Sequence, residues 1–265
     1  MTALTLALRG SCRNREAWEL PCIPQGDVIL YHPNYAVFAK SVINSVRTAQ
    51  CLAADMHALK AAMPCTRESG LWLEFGVFRG GTIKSLAAFA TRLRPSSLPI
   101  WGFDSFRGLP EKWRDASGTI LKYVQKGSFS LRGAPPFPAS EQIAWVIGLF
   151  SDTLEPFLRA HASARLALLH IDSDLYSSAM TVFSSLRAHG LLTPGVVIVF
   201  DELYNYPQYL EHEMRALWEL LGNSTVAHDG RSLAIEMLGV ATQAVVTETE
   251  AWPQACAVRL VSVDP

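Results

Sequence analysis

The chain has 265 residues, 49% of them apolar, which is enough for one large α/β domain with additions. Its 23 basic and 24 acidic residues give a net charge of −1, so it has no electrostatic footprint for nucleic acid or for an anionic membrane. No run of about 18 apolar residues occurs, and no membrane-spanning helix is expected. The five cysteines are odd in number and scattered, which favours free thiols in a reducing, cytoplasmic compartment.

Residues 1–65 are predicted to form an extension with cap helices, ahead of a main domain in residues 66–265. The first 15 residues hold three arginines and no acid. That pattern faintly resembles an organelle-targeting segment, although a frayed or accessory N-terminus is the more ordinary interpretation. Prolines and a glycine predict an irregular segment over residues 16–34, and the Gly- and Pro-free stretch from Tyr35 to Leu59 predicts one or two helices.

The stretch Leu71–Leu93 predicts a strand, a glycine loop and a helix, the layout by which α/β proteins hold nucleotide-like ligands. Its glycines follow the spacing Gly76-x-x-x-Gly80-Gly81, which is neither the G-x-G-x-x-G of dinucleotide binders nor a phosphate-binding P-loop. Glu74, just before the loop, repels phosphate and suits a cationic ligand such as S-adenosylmethionine. The alternative is a plain strand-turn-helix whose glycines only permit packing.

Residues 99–106 predict the next strand, with Asp104 near its end. A carboxylate at that place can accept hydrogen bonds from the two hydroxyls of a ribose, because each of its oxygens is an acceptor. The alternative is that Asp104 is only a cap or turn residue. Its spacing from the glycine loop favours the ribose.

These motifs together resemble the class I S-adenosylmethionine-dependent methyltransferases, and within them the macrocin O-methyltransferase (TylF-like) group. The resemblance covers roughly residues 70–260, and its matching stretches are Glu74–Thr82, Gly102–Glu111, Gly148–Leu154, His170–Ser178 and Pro194–Glu202. It implies a doubly wound α/β fold with a mostly parallel, seven-stranded, Rossmann-like sheet and an N-terminal helical extension. It also implies methyl transfer to an oxygen, a hydroxyl by analogy, of a small-molecule acceptor such as a sugar or natural product.

The resemblance also implies which residues bind the cofactor. Glu74 is expected to take the methionine ammonium, directly or through the glycine loop, and Asp104 the ribose. Phe150 and Ser151, at the end of a third strand predicted from Ile143 to Phe150, are candidates for contact with the adenine, while Asp152 is interpreted as a helix N-cap. The full expected cofactor set is Glu74, Gly76, Phe78, Gly80, Gly81, Thr82, Asp104, Ser105, Phe150, Ser151 and Asp172.

Two further predicted strands are both followed by acids: Asp172 and Asp174 after the fourth, Asp201 and Glu202 after the fifth. In a parallel sheet these acids converge at one edge. Uncompensated carboxylates raise one another's pKa, and a hard cation such as Mg²⁺, which prefers carboxylate oxygens and water, resolves the repulsion. The alternative is that the acids cap helices and orient loops. No His-rich or Cys-rich pattern supports zinc.

In the resembling family the first Asp of an Asp-x-Asp motif binds the metal and the second is a candidate general base. These roles fall on Asp172 and Asp174, the expected catalytic residues. The family also has an Asp-Asp pair after the fifth strand, but here Phe200 stands in place of its first acid. Asp201 alone, or Asp201 with Glu202 after a shift of one residue, then completes the metal set, which is expected to be Asp172, Asp201 and Glu202.

The remaining predictions concern the periphery. Residues 112–140 are interpreted as a flexible lid or substrate-facing loop. Trp113 and Tyr123 in it are interpreted as packed, with contact to an acceptor as the alternative. His212 is interpreted as exposed, with contact to the acceptor as the alternative. The C-terminal tail is expected to form an antiparallel hairpin at the edge of the sheet. The N-terminal helices either only cap the sheet or, as the family implies, cover the cofactor and support homo-oligomer contacts.

Two rival functions stay open. The first is a metal-independent methyltransferase whose acids bind an amine or act only as a base. The second is a non-catalytic binding module with a methyltransferase-like fold, against which the intact Glu74, Gly76, Asp104 and Asp172 weigh. A dinucleotide-dependent dehydrogenase is a distant third, because its glycine spacing is absent.

Overall fold

The structure, a computed structural model, describes residues 22, 24, 27–49, 57–67, 69–93, 98–113, 125–223, 231–240 and 254–264. The arginine-rich start of the chain, Cys12, Cys51 and Tyr123 lie outside these residues. Within them, no helix combines the length and the apolar character that crossing a membrane requires.

Eight strands form one sheet in the order β1-β7-β8-β6-β5-β2-β3-β4. Strands β2 to β6 pair in parallel, whereas β1, β7 and β8 pair antiparallel. The strands are β1 (Val28–Ile29), β2 (Leu71–Phe75), β3 (Ile100–Asp104), β4 (Ile143–Ile147), β5 (Leu166–Ile171), β6 (Val197–Phe200), β7 (Ser232–Val240) and β8 (Cys256–Val263). The doubly wound α/β fold is confirmed. The strand beyond the predicted seven is β1, a two-residue edge strand that lies in a segment predicted to be irregular.

The described part of the chain contains six α-helices. They are α1 (Tyr35–Thr48), α2 (His57–Ala62), α3 (Gly81–Leu93), α4 (Phe150–Ala160), α5 (Tyr176–Ala188) and α6 (Glu213–Gly222). Two short 3₁₀ turns, Met63–Cys65 and Tyr209–Glu211, accompany them. Helix α1 begins where the Asn34 side chain accepts from the N–H groups of Ala36 and Val37, a normal way to satisfy the first donors of a helix.

The prediction for the β4–α4 junction is wrong by a few residues. Strand β4 ends at Ile147 rather than Phe150, and the N-cap of α4 is Leu149, so Asp152 lies inside the first turn instead of capping the helix. The cause is Gly148, whose φ of 151° turns the chain and whose N–H donates to the carbonyl of Asp104 at 3.1 Å.

Both faces of the central parallel strands β2, β5 and β6 are buried. Along β2 the side chains of Leu71 and Leu73 join one apolar cluster and that of Trp72 joins another, on the opposite face. This explains why the parallel strands are almost continuously apolar. Phe38 of α1 and Ile83 of α3 are fully buried in these clusters. Each such side chain contributes about 1.5–3 kcal/mol when removed from water.

The cysteines depart from the prediction of free thiols. Cys22 and Cys65 form a disulfide, with their Cα atoms 4.7 Å apart, so the prediction is wrong for this pair. Cys256 is a free and buried thiol, and burial raises its pKa. The spacing of cysteines along the sequence could not reveal the pair, because only the packing of the N-terminal segment against the end of α2 brings the two together.

Candidate active site

The loops at the carboxyl ends of the parallel strands are held together by continued sheet hydrogen bonding. The backbone N–H groups of Gly76, Asp172 and Asp201 each donate to a carbonyl of a neighbouring strand at 2.9–3.0 Å. The chain winds outward from β2 in both directions, so the loops after β2 and β5 meet where the strand order reverses. In doubly wound sheets this switch point is where ligands bind.

A cavity of about 390 Å³ opens at this point, within the usual range of small-molecule sites. Most of the predicted site residues line it: Gly76, Phe78, Asp104, Ser105, Phe150, Ser151, Asp172, Asp174, Asp201 and Glu202. The structure therefore gathers the two predicted groups, the glycine loop and the acids, around one space. Four predicted residues are not in the cavity lining: Glu74, Gly80, Gly81 and Thr82.

The glycines of the loop have different roles. Gly76 has a φ of 88°, and a Cβ atom there would lie 1.7 Å from the carbonyl oxygen of Asp172. No other residue fits between the two loops. A Cβ at Gly80 would instead meet the Phe137 ring at 2.6 Å, so Gly80 permits packing away from the cavity, which was the alternative interpretation of the glycines. Gly81 begins α3.

Glu74 lies in the interior of β2 and is fully buried. Its carboxylate is 3.7 Å from the Nδ1 atom of His170 on β5, and neither group completes a hydrogen bond. Burial raises the pKa of Glu74, and the nearby His170 opposes that rise. Because Glu74 does not reach the cavity, the remaining expected route to a ligand is through the glycine loop.

Asp104 ties the glycine loop to the end of β3. One carboxylate oxygen accepts from the N–H groups of Val77 and Phe78, both at 3.0 Å, and the other accepts from Phe106 at 2.7 Å. A carboxylate offers about four acceptor positions. Three are used by the protein itself, which leaves about one for a ribose hydroxyl rather than the two predicted.

The acids after β5 and β6 converge, but not in the expected combination. Oxygen atoms of Asp172, Asp174 and Glu202 all lie within 4.8 Å of one another, and we call this set the acid cluster. Asp201 lines the cavity but is outside the cluster, whereas Asp174, the expected base, belongs to it. Phe200 is fully buried and is not part of the cavity lining, so Asp201 and Glu202 are the residues after β6 that line the cavity.

Burial and mutual repulsion dominate the electrostatics of the acid cluster. Burial, and then the charges of Asp201 and Asp174, raise the pKa of Asp172 well above its usual range. Burial, and then Asp174 and Asp172, do the same to Glu202, one of whose carboxylate oxygens has no hydrogen-bond partner. Carboxylates so close together need a shared proton or a cation. Their oxygen atoms are the donors that a hard divalent cation prefers.

The backbone at Asp174 is strained. Its φ of 60° is left-handed, which is uncommon for a residue with a side chain and is often found at functional sites. The N–H of Leu175 donates to the carbonyl of Ser173 at 2.6 Å and closes the tight turn. As a result Asp174 is 7% exposed and lines the cavity.

Several lining residues were not predicted from the sequence. Hydroxyl groups come from the loop and first turns of α5, namely Ser173, Ser177, Ser178 and Thr181. A row of hydroxyls at helical spacing directly after an acidic strand end was a signal that could have found them. Phe129 also lines the cavity, with its ring 5.4 Å from that of Phe78. Nothing in the local sequence marked Phe129, because the contact joins two distant loops.

Two aromatic predictions have opposite outcomes. Trp113 is buried, with its ring centre 5.5 Å from Tyr206 and 6.3 Å from His212, and its predicted packing role is confirmed. The prediction that His212 is exposed is wrong, since it is 8% exposed. It precedes α6, and its ring packs near those of Trp113 and Tyr206.

Known proteins resemble this chain in sequence and in fold. The family model of macrocin-O-methyltransferase (TylF) matches residues 38–217. The chain is 26% identical to the 8-demethyl-8-(2,3-dimethoxy-alpha-L-rhamnosyl)-tetracenomycin-C 4'-O-methyltransferase of Streptomyces olivaceus, over 49% of this chain and 51% of that protein. It is 28% identical to the mycinamicin III 3''-O-methyltransferase of Micromonospora griseorubida, over 69% and 72%. The chain thus spans about half the length of the first relative.

A crystal structure of CalS11, a calicheamicin methyltransferase, has a similar fold. Its TM-score is 0.52 at 20% identity, with 85% of this chain and 82% of that chain covered. At this identity the likeness concerns the fold alone. It agrees with the doubly wound sheet described above.

Proposed function

The chain belongs to the macrocin-O-methyltransferase (TylF) family, a family of O-methyltransferases, and on this premise we propose that it transfers a methyl group from S-adenosylmethionine to a sugar hydroxyl of a small molecule. The observation that carries the proposal is the single cavity that joins the glycine loop to the acid cluster. Both relatives named above are O-methyltransferases, and the named substrate of one carries a rhamnosyl group.

The loops after β2, β3 and β4 are the proposed cofactor side of the cavity. Gly76 lets the glycine loop pack directly against the loop of Asp172, and Asp104 keeps about one acceptor position for a ribose hydroxyl. Phe150 and Ser151 border the space expected for adenine. S-adenosylmethionine, when bound, supplies an activated methyl group on a sulfonium. The protein's part is then mainly to position the acceptor oxygen and exclude water, which can account for a large share of the acceleration.

The acid cluster is the proposed acceptor side. Its residues fit Mg²⁺, because three carboxylates converge and one oxygen of Glu202 is buried without a partner. Asp172 and Glu202, with Asp201 from the same cavity lining, would hold the cation. Such a cation, when bound, would lower the pKa of an acceptor hydroxyl and help to orient it.

Asp174 is the proposed general base. It lines the cavity within the acid cluster, and it would accept the proton of the acceptor hydroxyl as the oxygen takes the methyl group. General bases typically contribute about 10²–10⁴-fold to a rate. The hydroxyls of Ser177, Ser178 and Thr181 line the same space and can exchange hydrogen bonds with the other hydroxyls of a sugar.

The test is transfer of a labelled methyl group from S-adenosylmethionine to a panel of free and glycoside-linked sugars, with Mg²⁺ or with chelator. We expect labelling of at least one sugar hydroxyl, lost in Asp174→Asn and retained in Asp264→Asn, whose side chain is 87% exposed. Calorimetry with S-adenosylhomocysteine accompanies the assay. Failure of the wild type to bind it would overturn the enzyme proposal in favour of a non-catalytic module.

The same assay distinguishes the metal-independent alternative from the proposed Mg²⁺-assisted reaction. The convergence of buried carboxylates favours the cation. Transfer that survives complete chelation would contradict this part of the proposal and assign the acids to proton transfer or to binding of an amine.

A further inference from the structure

The disulfide between Cys22 and Cys65 lies outside the proposed active site. It links a residue that precedes β1 to the last residue of the 3₁₀ turn Met63–Cys65, across 43 positions of the sequence. Both cysteines are partly exposed, and neither is among the residues that line the cavity. The bond is therefore within reach of solvent, and methyl transfer does not use it.

One of the two sulfur atoms has a cation beside it. The Nη1 atom of Arg259, on β8, donates to Sγ of Cys22 at 3.3 Å. The other two nitrogen atoms of the guanidinium donate to Glu236 on β7, Nε at a distance of 3.0 Å. Because the donors of a guanidinium form a rigid, planar fork, the pairing with Glu236 holds Nη1 toward the sulfur.

The other sulfur atom has different surroundings. The Cys65 side chain packs against the apolar cluster that contains Trp72. The nearest cation along the sequence, Arg67, donates to the backbone carbonyl of Pro194 instead. In the described part of the chain, no hydrogen bond or ion pair reaches the Cys65 sulfur. The two ends of the disulfide thus differ, one facing a cation and the other facing apolar groups.

This asymmetry bears on how the bond breaks in thiol–disulfide exchange. An attacking thiolate forms a new S–S bond with one sulfur, and the electron pair of the old bond leaves on the other sulfur. A hydrogen bond from a cation stabilises a thiolate, whereas apolar surroundings disfavour it. Cys22 is therefore the better leaving group, and attack is directed to Cys65.

We propose that the Cys22–Cys65 bond is an exchange site for small thiols: the thiolate of the small molecule attacks Sγ of Cys65 and forms a mixed disulfide there, while Cys22 leaves as a thiolate held by Arg259. A second molecule of the thiol then attacks the mixed disulfide, releases Cys65 as a thiolate and departs as the oxidised small-molecule disulfide. Each step replaces one S–S bond with another, so the thiol supplies the electrons. The site is independent of the proposed methyl transfer.

The experiment follows the first exchange step in the full, oxidised chain. Glutathione, a small peptide thiol, is added, and the reaction is stopped at short times with N-ethylmaleimide, which alkylates each thiolate that has been released. Peptide mass mapping then identifies which cysteine carries glutathione and which carries maleimide. Cys256, a free and buried thiol, is the internal control, because maleimide reaches it only in unfolded molecules. A sample treated with maleimide before glutathione is added shows whether the bond is present.

We expect glutathione on Cys65 and maleimide on Cys22. Brønsted slopes in this chemistry are about 0.4–0.5, so a tenfold stabilisation of the leaving thiolate corresponds to a preference of about threefold, and we expect at least that ratio. An equal ratio, or glutathione mainly on Cys22, overturns the inference. Maleimide on both cysteines before glutathione is added also overturns it, because the bond is then absent from the protein in solution.

Two variants test the part played by Arg259. Arg259→Gln removes the cation, and we expect the preference for Cys65 to disappear and the bond to open about threefold more slowly. Arg259→Lys keeps the positive charge and should keep the preference. Arg159→Gln is the matched control, because Arg159 pairs through Nε with Glu155 on α4, as Arg259 pairs with Glu236. A preference that persists in Arg259→Gln contradicts the role of the guanidinium. If that variant does not fold, the ratio in the wild type still decides the direction of attack.

Discussion

The two sides of the cavity differ in how their polar groups are satisfied. On the cofactor side, both oxygens of Asp104 accept backbone hydrogen bonds, three in all. On the acid side, an oxygen of Glu202 and both oxygens of Glu213 are buried without a partner. Burial and like charges also raise the pKa of Asp172 and of Glu202.

This difference indicates that the protein supplies hydrogen-bond partners for its polar groups on the cofactor side but not for all of them on the acid side. Paired backbone and carboxylate groups hold the cofactor side in a preformed shape. The acid side keeps several carboxylates close together in a poorly solvated place, where their repulsion is relieved only by protons or by a cation. Changes on the two sides should therefore have different consequences, and four predictions test this.

The largest effect is expected from removing the base on the acid side. Asp174→Asn should lower kcat by about 10²–10⁴-fold and leave S-adenosylhomocysteine affinity unchanged, because the change does not touch the cofactor side. Asp264→Asn is the control, since its side chain is 87% exposed and it is not among the residues that line the cavity. Single-turnover kinetics on both variants measure the difference, and equal losses in the two would contradict the assignment of the base.

Gly76→Ala should destabilise the glycine loop on the cofactor side. The new Cβ would overlap the carbonyl oxygen of Asp172, and φ is 88°, so we expect a loss of about 2–5 kcal/mol in the free energy of unfolding. Gly127→Ala is the control, because Gly127 has a φ of 85° but no atom within 4 Å of the added Cβ. It should lose only about 1–2 kcal/mol. Urea unfolding measures the loss of stability in both variants. Equal losses would show that the positive φ, and not the overlap with Asp172, causes the destabilisation.

Asp104→Asn tests the three backbone hydrogen bonds that the Asp104 carboxylate accepts on the cofactor side. The amide keeps one acceptor oxygen and turns a donor toward the backbone N–H groups on the other side, so at least one charge-assisted bond is lost. We expect a decrease of about 1.5–3 kcal/mol in the free energy of unfolding and weaker S-adenosylhomocysteine binding. Ser105→Ala, which removes one hydroxyl that accepts from Arg107, should cost less. Thermal and calorimetric titrations that show no change in Asp104→Asn would refute the pairing argument.

The smallest expected effect is a dependence of the protein's stability on pH that arises from the carboxylates of the acid side. In the folded state Asp172 and Glu202 keep their protons above the pH at which they lose them when unfolded. The unfolded state then binds fewer protons, so stability falls as the pH rises above about 4 toward the raised pKa values. Each 1 kcal/mol lost lowers Tm by about 2–4 °C in a protein of this size.

The measurement is Tm against pH in chelator for the wild type and for Asp172→Asn, which removes one titrating carboxylate and its effect on the pKa of Glu202. Titrating groups away from the acid cluster cancel in the difference. We expect a flatter profile in the variant, and we expect Mg²⁺ to raise the Tm of the wild type most at high pH. A variant profile parallel to that of the wild type would show that these carboxylates do not carry the pH dependence.

Much of the fold and of the cofactor side could be predicted from the sequence because its signals are local. A continuous apolar run such as Leu166–Ile171 marks a strand buried on both faces, and a glycine such as Gly76 marks a backbone turn. The acid side was predicted in outline, since parallel strand ends must meet. The arrangement of the carboxylates was not, because which of their oxygens lie within 4.8 Å of one another depends on how the two loops pack.

The sequence by itself determined most strands and helices and the edge of the sheet at which the site lies, because periodicity, glycine positions and strand-end acids are properties of short segments. The doubly wound order came from the resemblance to the methyltransferase family. Only the tertiary structure decided which groups are partners: Asp104 with the glycine loop, Cys22 with Cys65, and His212 with the ring of Tyr206. Those contacts join residues that are distant along the chain, and their geometry follows from packing and strand register, which short segments do not encode.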